Sequence, residues 1–366
     1  MTENKLIAAV IMAKDEARYI HVTIESVKNE VDGIILFDTG SKDNTVSVVR
    51  DLAQGAKLSF HLLEGDFEDF AKSRNRLLKF ADTLNYDFLL LLDCNDELRV
   101  TQSLKTYLKS LDPGIDAFLV QQQWFIGSET LQYFNNRLIR PNKGFLYEGV
   151  VHEYLNTNGR KTATADKDVM TIYQNRTIDD KKSCKRWEND LILLEKELAR
   201  DVTNSRTQYY LAQTYDCLNM KPQATDMYSI RAENCLGFQE ERFIAMMKIA
   251  ELSSDYGDKI KWYFKAYLHD HRAEPLVELS KLFREKKELN LSFNMAKTAC
   301  DLEYPTKRMF LVNKKCYDHD RWQEMSISAY YVGKLEEGKA SCLKAIESGF
   351  NRELNENNLK FYLETA

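Results

Sequence analysis

Asp93-Cys94-Asn95-Asp96-Glu97 sets four oxygen-bearing side chains directly after the apolar run Phe88-Leu89-Leu90-Leu91-Leu92. Hard cations such as Mg²⁺ and Mn²⁺ take oxygen ligands and often bridge them to a substrate's phosphates. The chemistry this cluster suggests is a metal–diphosphate site; its structural alternative is a solvated acidic turn. Asp38 ends a second apolar run, 33–37, and opens the polar stretch Thr39-Gly40-Ser41-Lys42-Asp43-Asn44-Thr45. A third group, Glu148, His152 and Glu153, lies within six residues. It offers a histidine ligand and two candidate general bases. Lys72, Arg74 and Arg137 are available to add positive charge at phosphates.

These residues need a scaffold that brings them to one place. Open α/β sheets bind ligands outside the carboxyl ends of their strands. Residues 6–12, 33–37, 58–63 and 88–92 read as short buried strands. Between them, Ile20, Ile24 and Val27, then Val46, Val49 and Leu52, then 70–81, mark helices. This alternation predicts a parallel sheet with helices on its faces, with Asp38 and Asp93 at the same edge. Beyond Glu97 a short helix (104–111) and two strands (117–126 and 131–139) are expected, with a turn at Gly127-Ser128. No Gly-x-x-x-x-Gly-Lys or Gly-x-Gly-x-x-Gly is present, which argues against a P-loop or dinucleotide fold. Trp124, in an alternating strand, reads as core as readily as a stacking platform.

At 366 residues, two domains are the natural expectation. A net charge of -5 argues against nucleic acid as a partner. No apolar run reaches the length of a transmembrane segment. Seven scattered cysteines without a Cys-x-x-Cys pair fit a reducing, cytoplasmic setting. Nine of the 14 glycines fall at or before Gly159, and the remainder of the chain reads as successive helices. Related words at Leu211, Ile249 and Leu279 bracket the roughly 34-residue period of tetratricopeptide hairpins. Such arrays present surfaces for dimerisation or for holding a partner protein.

Taken in order, Ile11-Met12-Ala13-Lys14-Asp15-Glu16, Phe37-Asp38-Thr39-Gly40-Ser41, Ala71-Lys72-Ser73-Arg74-Asn75, Leu92-Asp93-Cys94-Asn95-Asp96-Glu97, Asn136-Arg137-Leu138-Ile139-Arg140 and Tyr147-Glu148-Gly149-Val150-Val151-His152-Glu153 carry a likeness. The chain resembles family 2 glycosyltransferases of GT-A fold, in particular members with a C-terminal tetratricopeptide region, and the related peptide S-glycosyltransferases. The resemblance implies a Rossmann-like mixed sheet over 1–180, a linker helix over 181–200 and an all-α repeat domain over 201–366. It implies inverting transfer of a hexose or N-acetylhexosamine from a UDP-sugar, with Mn²⁺ or Mg²⁺, to a protein, glycan or lipid-linked acceptor. A homodimer formed through the repeats is a further expectation.

Carried over by position, Lys14, Glu16, Asp38, Arg74, Asp93 and Cys94 would surround the nucleotide, with Cys94 a small filler and not a nucleophile. Asn95, Asp96 and His152 would hold the metal. Glu148 is the first choice for the base and Glu153 the second. Asn95 stands where the family has Asp. An amide brings no charge to a cation, so weaker metal binding, or Asp96 sharing the duty, is expected. That departure also supports an alternative: a homologue without turnover that acts as a repeat-type adaptor.

Overall fold

A computed structural model of the chain describes residues 5–126, 129–175, 182–306, 308 and 311–364; the expected turn at Gly127-Ser128 lies outside them. The chain divides into two compact units, Met1–Leu193 and Leu194–Ala366. The division falls inside the helix expected as a linker.

The first unit runs β1 (Lys5–Ala13), α1 (Ile20–Val27), β2 (Gly33–Asp38), α2 (Thr45–Gly55), β3 (Ser59–Glu64), α3 (Phe70–Ala81) and β4 (Tyr86–Leu92). It continues β5 (Glu97–Val100), α4 (Leu104–Ser110), β6 (Ala117–Ile126), β7 (Glu129–Ile139), β8 (Leu146–Glu148), β9 (Tyr154–Asn156), β10 (Thr162–Thr164) and β11 (Met170–Asn175), then enters α5 (Lys182–Arg200). Among the described residues the main sheet has nine strands in the order β3-β2-β1-β4-β7-β6-β11-β5, with β10 on β6. The first four are parallel; β7 runs antiparallel to both its neighbours. The sheet is therefore mixed, as the family resemblance implies. β8 and β9 form a separate antiparallel pair.

β1 shows why the parallel strands read as unbroken apolar runs. Its side chains alternate between faces, and both faces are covered. Ile7, Ala9 and Ile11 join Ile20, Ile24, Val27 and Val49 of α1 and α2 in one core. Ala8 and Val10 join Leu77 and Leu78 of α3 in the other. No freedom of register remains, because a one-residue slip would exchange the two sets. The strand tips are thereby fixed. β1 ends at Ala13 beside Asp38 of β2, and Ile11 pairs with Leu92 of β4.

The second unit carries α6 (Ser205–Cys217), α7 (Lys221–Glu233), α8 (Gln239–Leu252), α9 (Tyr256–His269), α10 (Ala273–Glu285), α11 (Leu289–Asp301), α12 (Arg321–Tyr331), α13 (Leu335–Glu347) and α14 (Arg352–Glu364). Antiparallel neighbours pack as the hairpins α6–α7, α8–α9, α10–α11 and α12–α13. The first three start at Ser205, Gln239 and Ala273, a step of 34 residues each time, which is the tetratricopeptide period. The repeated words of the sequence thus fall on the first helix of each pair. The fourth starts later, after an irregular stretch and a five-residue π-helical turn, Cys316–Asp320. Buried ion pairs lock the turns between hairpins. Arg231, fully buried, reaches Glu241 at 3.2 Å and the Asn234 and Phe238 carbonyls at 2.9 and 2.6 Å. No helix among the described residues is long and apolar enough to cross a membrane.

Candidate active site

The motif Asp93-Cys94-Asn95-Asp96 turns the chain off the tip of β4 and into β5. Hydrogen bonds within and beyond the turn hold it. The Asp93 N–H donates to Asp96 Oδ2 at 2.8 Å, closing the turn on itself. The Asp93 carbonyl accepts from Thr23 Oγ1 of α1 at 3.2 Å. The Cys94 thiol donates to the Met12 carbonyl at 3.3 Å, tying the tip of β4 to that of β1. Burial pushes that thiol well above its ordinary pKa, so it stays protonated and inert.

Asp93 is the hub of the site. One carboxylate oxygen receives Arg74 of α3 at 2.6 Å, the other Arg137 of β7 at 2.9 Å. Arg74 also reaches Glu153 at 2.5 Å, and its guanidinium lies 5.4 Å from the centre of the Tyr147 ring. Burial alone would raise the Asp93 pKa. The guanidiniums of Arg137 and Arg74 outweigh it and hold the carboxylate well below its usual range. Two cations and two carboxylates thus interlock at the carboxyl edge of the sheet. They line one pocket with Asn135, Asn136, Tyr147 and Leu155. Asn136 Oδ1 is buried there with no hydrogen-bond partner in the fold. Such an acceptor is costly unless something donates to it.

Sequence order explains how distant segments meet. Asp69 caps α3 by accepting from the Lys72 N–H at 2.8 Å, which fixes the first turn carrying Arg74. Asn75 then pairs with the backbone of Tyr147 in both directions, donating to its carbonyl at 2.9 Å and accepting its N–H at 2.7 Å. This two-way bond docks β8 on α3. Along β8 the side chains alternate: Tyr147 is buried, Leu146 and Glu148 are exposed.

That alternation separates the two candidate bases. Glu148 bonds Tyr154 Oη at 2.5 Å and Asn156 Nδ2 at 2.7 Å on the exposed side of its hairpin, and it does not line the pocket. Glu153 does. Of the two bases expected from the sequence, Glu148 first and Glu153 second, it is thus the second that lines the pocket.

The metal set is not assembled. Asp96 is wholly buried, with Oδ2 on the Asp93 N–H and Oδ1 accepting from Gln174 Nε2 at 3.1 Å. Burial and the neighbouring Asp93 charge push its pKa up to about 7. It holds the turn and turns no oxygen outward. Asn95 is exposed, and its Oδ1 accepts from the same Gln174 at 2.6 Å. His152 sits exposed on a left-handed backbone turn, φ 48°. Among the described residues no group of three or more His, Cys, Asp or Glu side chains is arranged to hold a metal ion. Both oxygens of Asp93 are capped by arginines, and Mg²⁺-type sites rely on one or two carboxylates. The residues present do not fit a resident Mn²⁺ or Mg²⁺.

Of the remaining candidates, Asp38 is buried and folds back on its own turn. It accepts from the Gly40 and Ser41 N–H groups at 3.2 and 3.0 Å and from the Ser41 hydroxyl. Glu16 caps α1 through its carbonyl, which accepts from the N–H of Tyr19 and Ile20. Lys14 is exposed beside it. Two loops zip together here, with Asp15 accepting from the Lys42 N–H at 2.7 Å and Asp43 from the Ala17 N–H at 3.0 Å. Gln174, which orders the motif turn, escaped the sequence reading. Its signal was a polar residue at an inward position of an alternating strand, Met170–Asn175.

The charged pocket of this α/β unit lies at its strand tips, where open α/β sheets bind their ligands. Residues 8–175 match the family model described as Glycosyl transferase family 2, so the likeness to that family falls on the first unit. A TPR repeat-containing protein of Synechococcus elongatus is 29% identical over 149 residues, 40% of this chain and 34% of that protein. An uncharacterized protein of Methanocaldococcus jannaschii is 30% identical over 114 residues, 31% of this chain and 49% of that protein. The chain thus spans between a third and a half of the length of these curated relatives. Among solved structures it is similar to S. aureus TarS 1-349 in complex with UDP-GlcNAc, with 13% identity, 72% of this chain, 88% of that chain and a TM-score of 0.43. It is also similar to MamA, with 15% identity, 47% of this chain, 93% of that chain and a TM-score of 0.36.

Proposed function

We propose that the first unit transfers a hexose or N-acetylhexosamine from a UDP-sugar to a protein, glycan or lipid-linked acceptor, inverting the anomeric carbon. The observation that carries this is the interlocked Arg74–Asp93–Arg137 set, with Glu153, in one pocket at the strand tips of a unit that matches the family 2 model. In a single displacement the acceptor atom bonds to the anomeric carbon as the bond to the diphosphate oxygen breaks. The acceptor's proton passes to a carboxylate, and Glu153 takes that role in this reading because it lines the pocket. Guanidiniums stabilise the charge gathering on the departing diphosphate. Asn136 Oδ1 offers an acceptor for a sugar or ribose hydroxyl. The donor set does not fit Mn²⁺ or Mg²⁺, and Arg74 and Arg137 are the cations that line the pocket.

The helical repeats serve dimerisation or hold the acceptor protein, and cytoplasmic work suits a chain with seven scattered cysteines and no Cys-x-x-Cys pair. A second reading, a binding protein without turnover, is favoured by Asn95 and by both pocket carboxylates being ion-paired. A panel of nucleotide sugars decides between the two. Hydrolysis or transfer by the purified chain, lost in Asp93→Ala, supports the enzyme. Binding without any turnover supports the adaptor.

A further inference from the structure

We propose that Arg74 and Arg137 take the diphosphate of the donor directly, in place of a divalent ion. This rests on the reading of the pocket as a nucleotide-sugar site and adds how that site is charged.

Three observations carry it. The only motif carboxylate that faces the pocket, Asp93, has each oxygen on a different guanidinium, at 2.6 and 2.9 Å. The other, Asp96, is sealed in the turn with both oxygens engaged. The position between them is a neutral amide, Asn95, bonded to Gln174. A cation arriving here would meet two fixed positive charges before it met an unpaired carboxylate. An anion meets the reverse: two guanidinium forks, each suited to bidentate phosphate contact, preset by Asp93 and Glu153 and backed by a Tyr147 ring. Both arginine side chains are nearly buried, at 12% and 11% exposure, so their field is poorly screened by solvent. Asp93 acts as a placeholder that positions the two forks and yields a share of their hydrogen bonds when the diphosphate enters.

The test uses the full chain, freed of metals with EDTA, and titration calorimetry with UDP, CDP, GDP and ADP, each repeated with Mn²⁺ and with Mg²⁺. At least one nucleotide is expected to bind in EDTA with a Kd within about threefold of its value with either cation. Arg137→Lys and Arg74→Lys keep the charge but lose the fork, and each is expected to weaken that binding at least about tenfold while retaining the parent's melting temperature to within a few degrees. Binding that appears only with a cation overturns the proposal and leaves the glycosyltransferase reading standing. So does parental affinity in both lysine variants. No binding by any of the four, with or without cation, overturns the proposal and the site reading together.

Discussion

Replacing Asp93 by Asn removes the negative hub and leaves its two guanidiniums facing each other. Arg74 keeps Glu153 at 2.5 Å; Arg137 keeps the neutral Gln122 and Leu91 oxygens at 3.3 and 3.4 Å, with Asp96 its remaining carboxylate at 3.9 Å. Removing one partner of a buried ion pair typically costs about 3–5 kcal/mol, much of it the charge left behind. Asp93 is 30% exposed at its side chain, so water relieves part of this, and about 2–3 kcal/mol is the expected loss. For a body of this size each kcal/mol moves the melting temperature by about 2–4 °C. Calorimetry at pH 7.5 should therefore place the variant's first-unit transition about 4–12 °C lower. The pH dependence has a definite sign. Asp93 is held below its usual range by the two arginines, so its contribution is complete above the unfolded value near 4 and lost as pH falls below it. The gap between parent and variant should widen as pH falls from 8 to 5, because burial and, in the parent only, the Asp93 charge raise Asp96, and should close in stronger acid. Adding inorganic pyrophosphate should restore more of the variant's stability than the parent gains, because the vacated position is a two-fork anion site. A loss below about 1 °C at pH 7.5 would refute the claim that Asp93 is the hub.

Glu153→Gln is expected to lower transfer about 10²–10⁴-fold, the usual range for a positioned base. Glu148→Gln should stay within about threefold of the parent, and steady-state rates on one donor–acceptor pair compare them. Equal losses in both would contradict the separation imposed by β8. Asn95→Asp places a carboxylate at the exposed position of the motif and should make UDP binding respond to Mn²⁺ by about tenfold or more, read by calorimetry. Asp190 of α5 is buried; burial raises it, Arg186 opposes and Glu153 adds to the rise, and the result is a pKa pushed up to about 6. A raised carboxyl pKa costs stability as pH climbs from the unfolded value near 4 to the folded value, and the cost is then constant. Asp190→Asn should therefore stabilise the chain by about 1–2 kcal/mol at pH 8 after solvent screening, and by nothing at pH 4. Urea unfolding at the two pH values checks the sign.

The strands that carry Asp38 and Asp93 were legible because burial on both faces leaves runs such as Gly33–Asp38 and Tyr86–Leu92 almost wholly apolar. The short strands were not. β5, β8 and β10 have three or four residues each, and their pairing is decided by partners far along the chain, as β5 is by β11. The same physics hid the roles inside the motif. Sequence reports that Asp93, Asn95 and Asp96 carry oxygens; it does not report which way each oxygen points. Asp96 turns inward because the Asp93 N–H and Gln174 need an acceptor. Asp93 is left to face arginines from α3 and β7, 19 and 44 residues away. A cluster of acids after a strand therefore reads as a cation cage until its long-range partners are known, and here those partners are cations already in the chain. The same reversal separates Glu148 from Glu153. They lie five positions apart in one motif, but the pleat of β8 puts the first on the open side of its hairpin, and the turn after Gly149, whose backbone is left-handed at φ 97°, brings the second back onto Arg74.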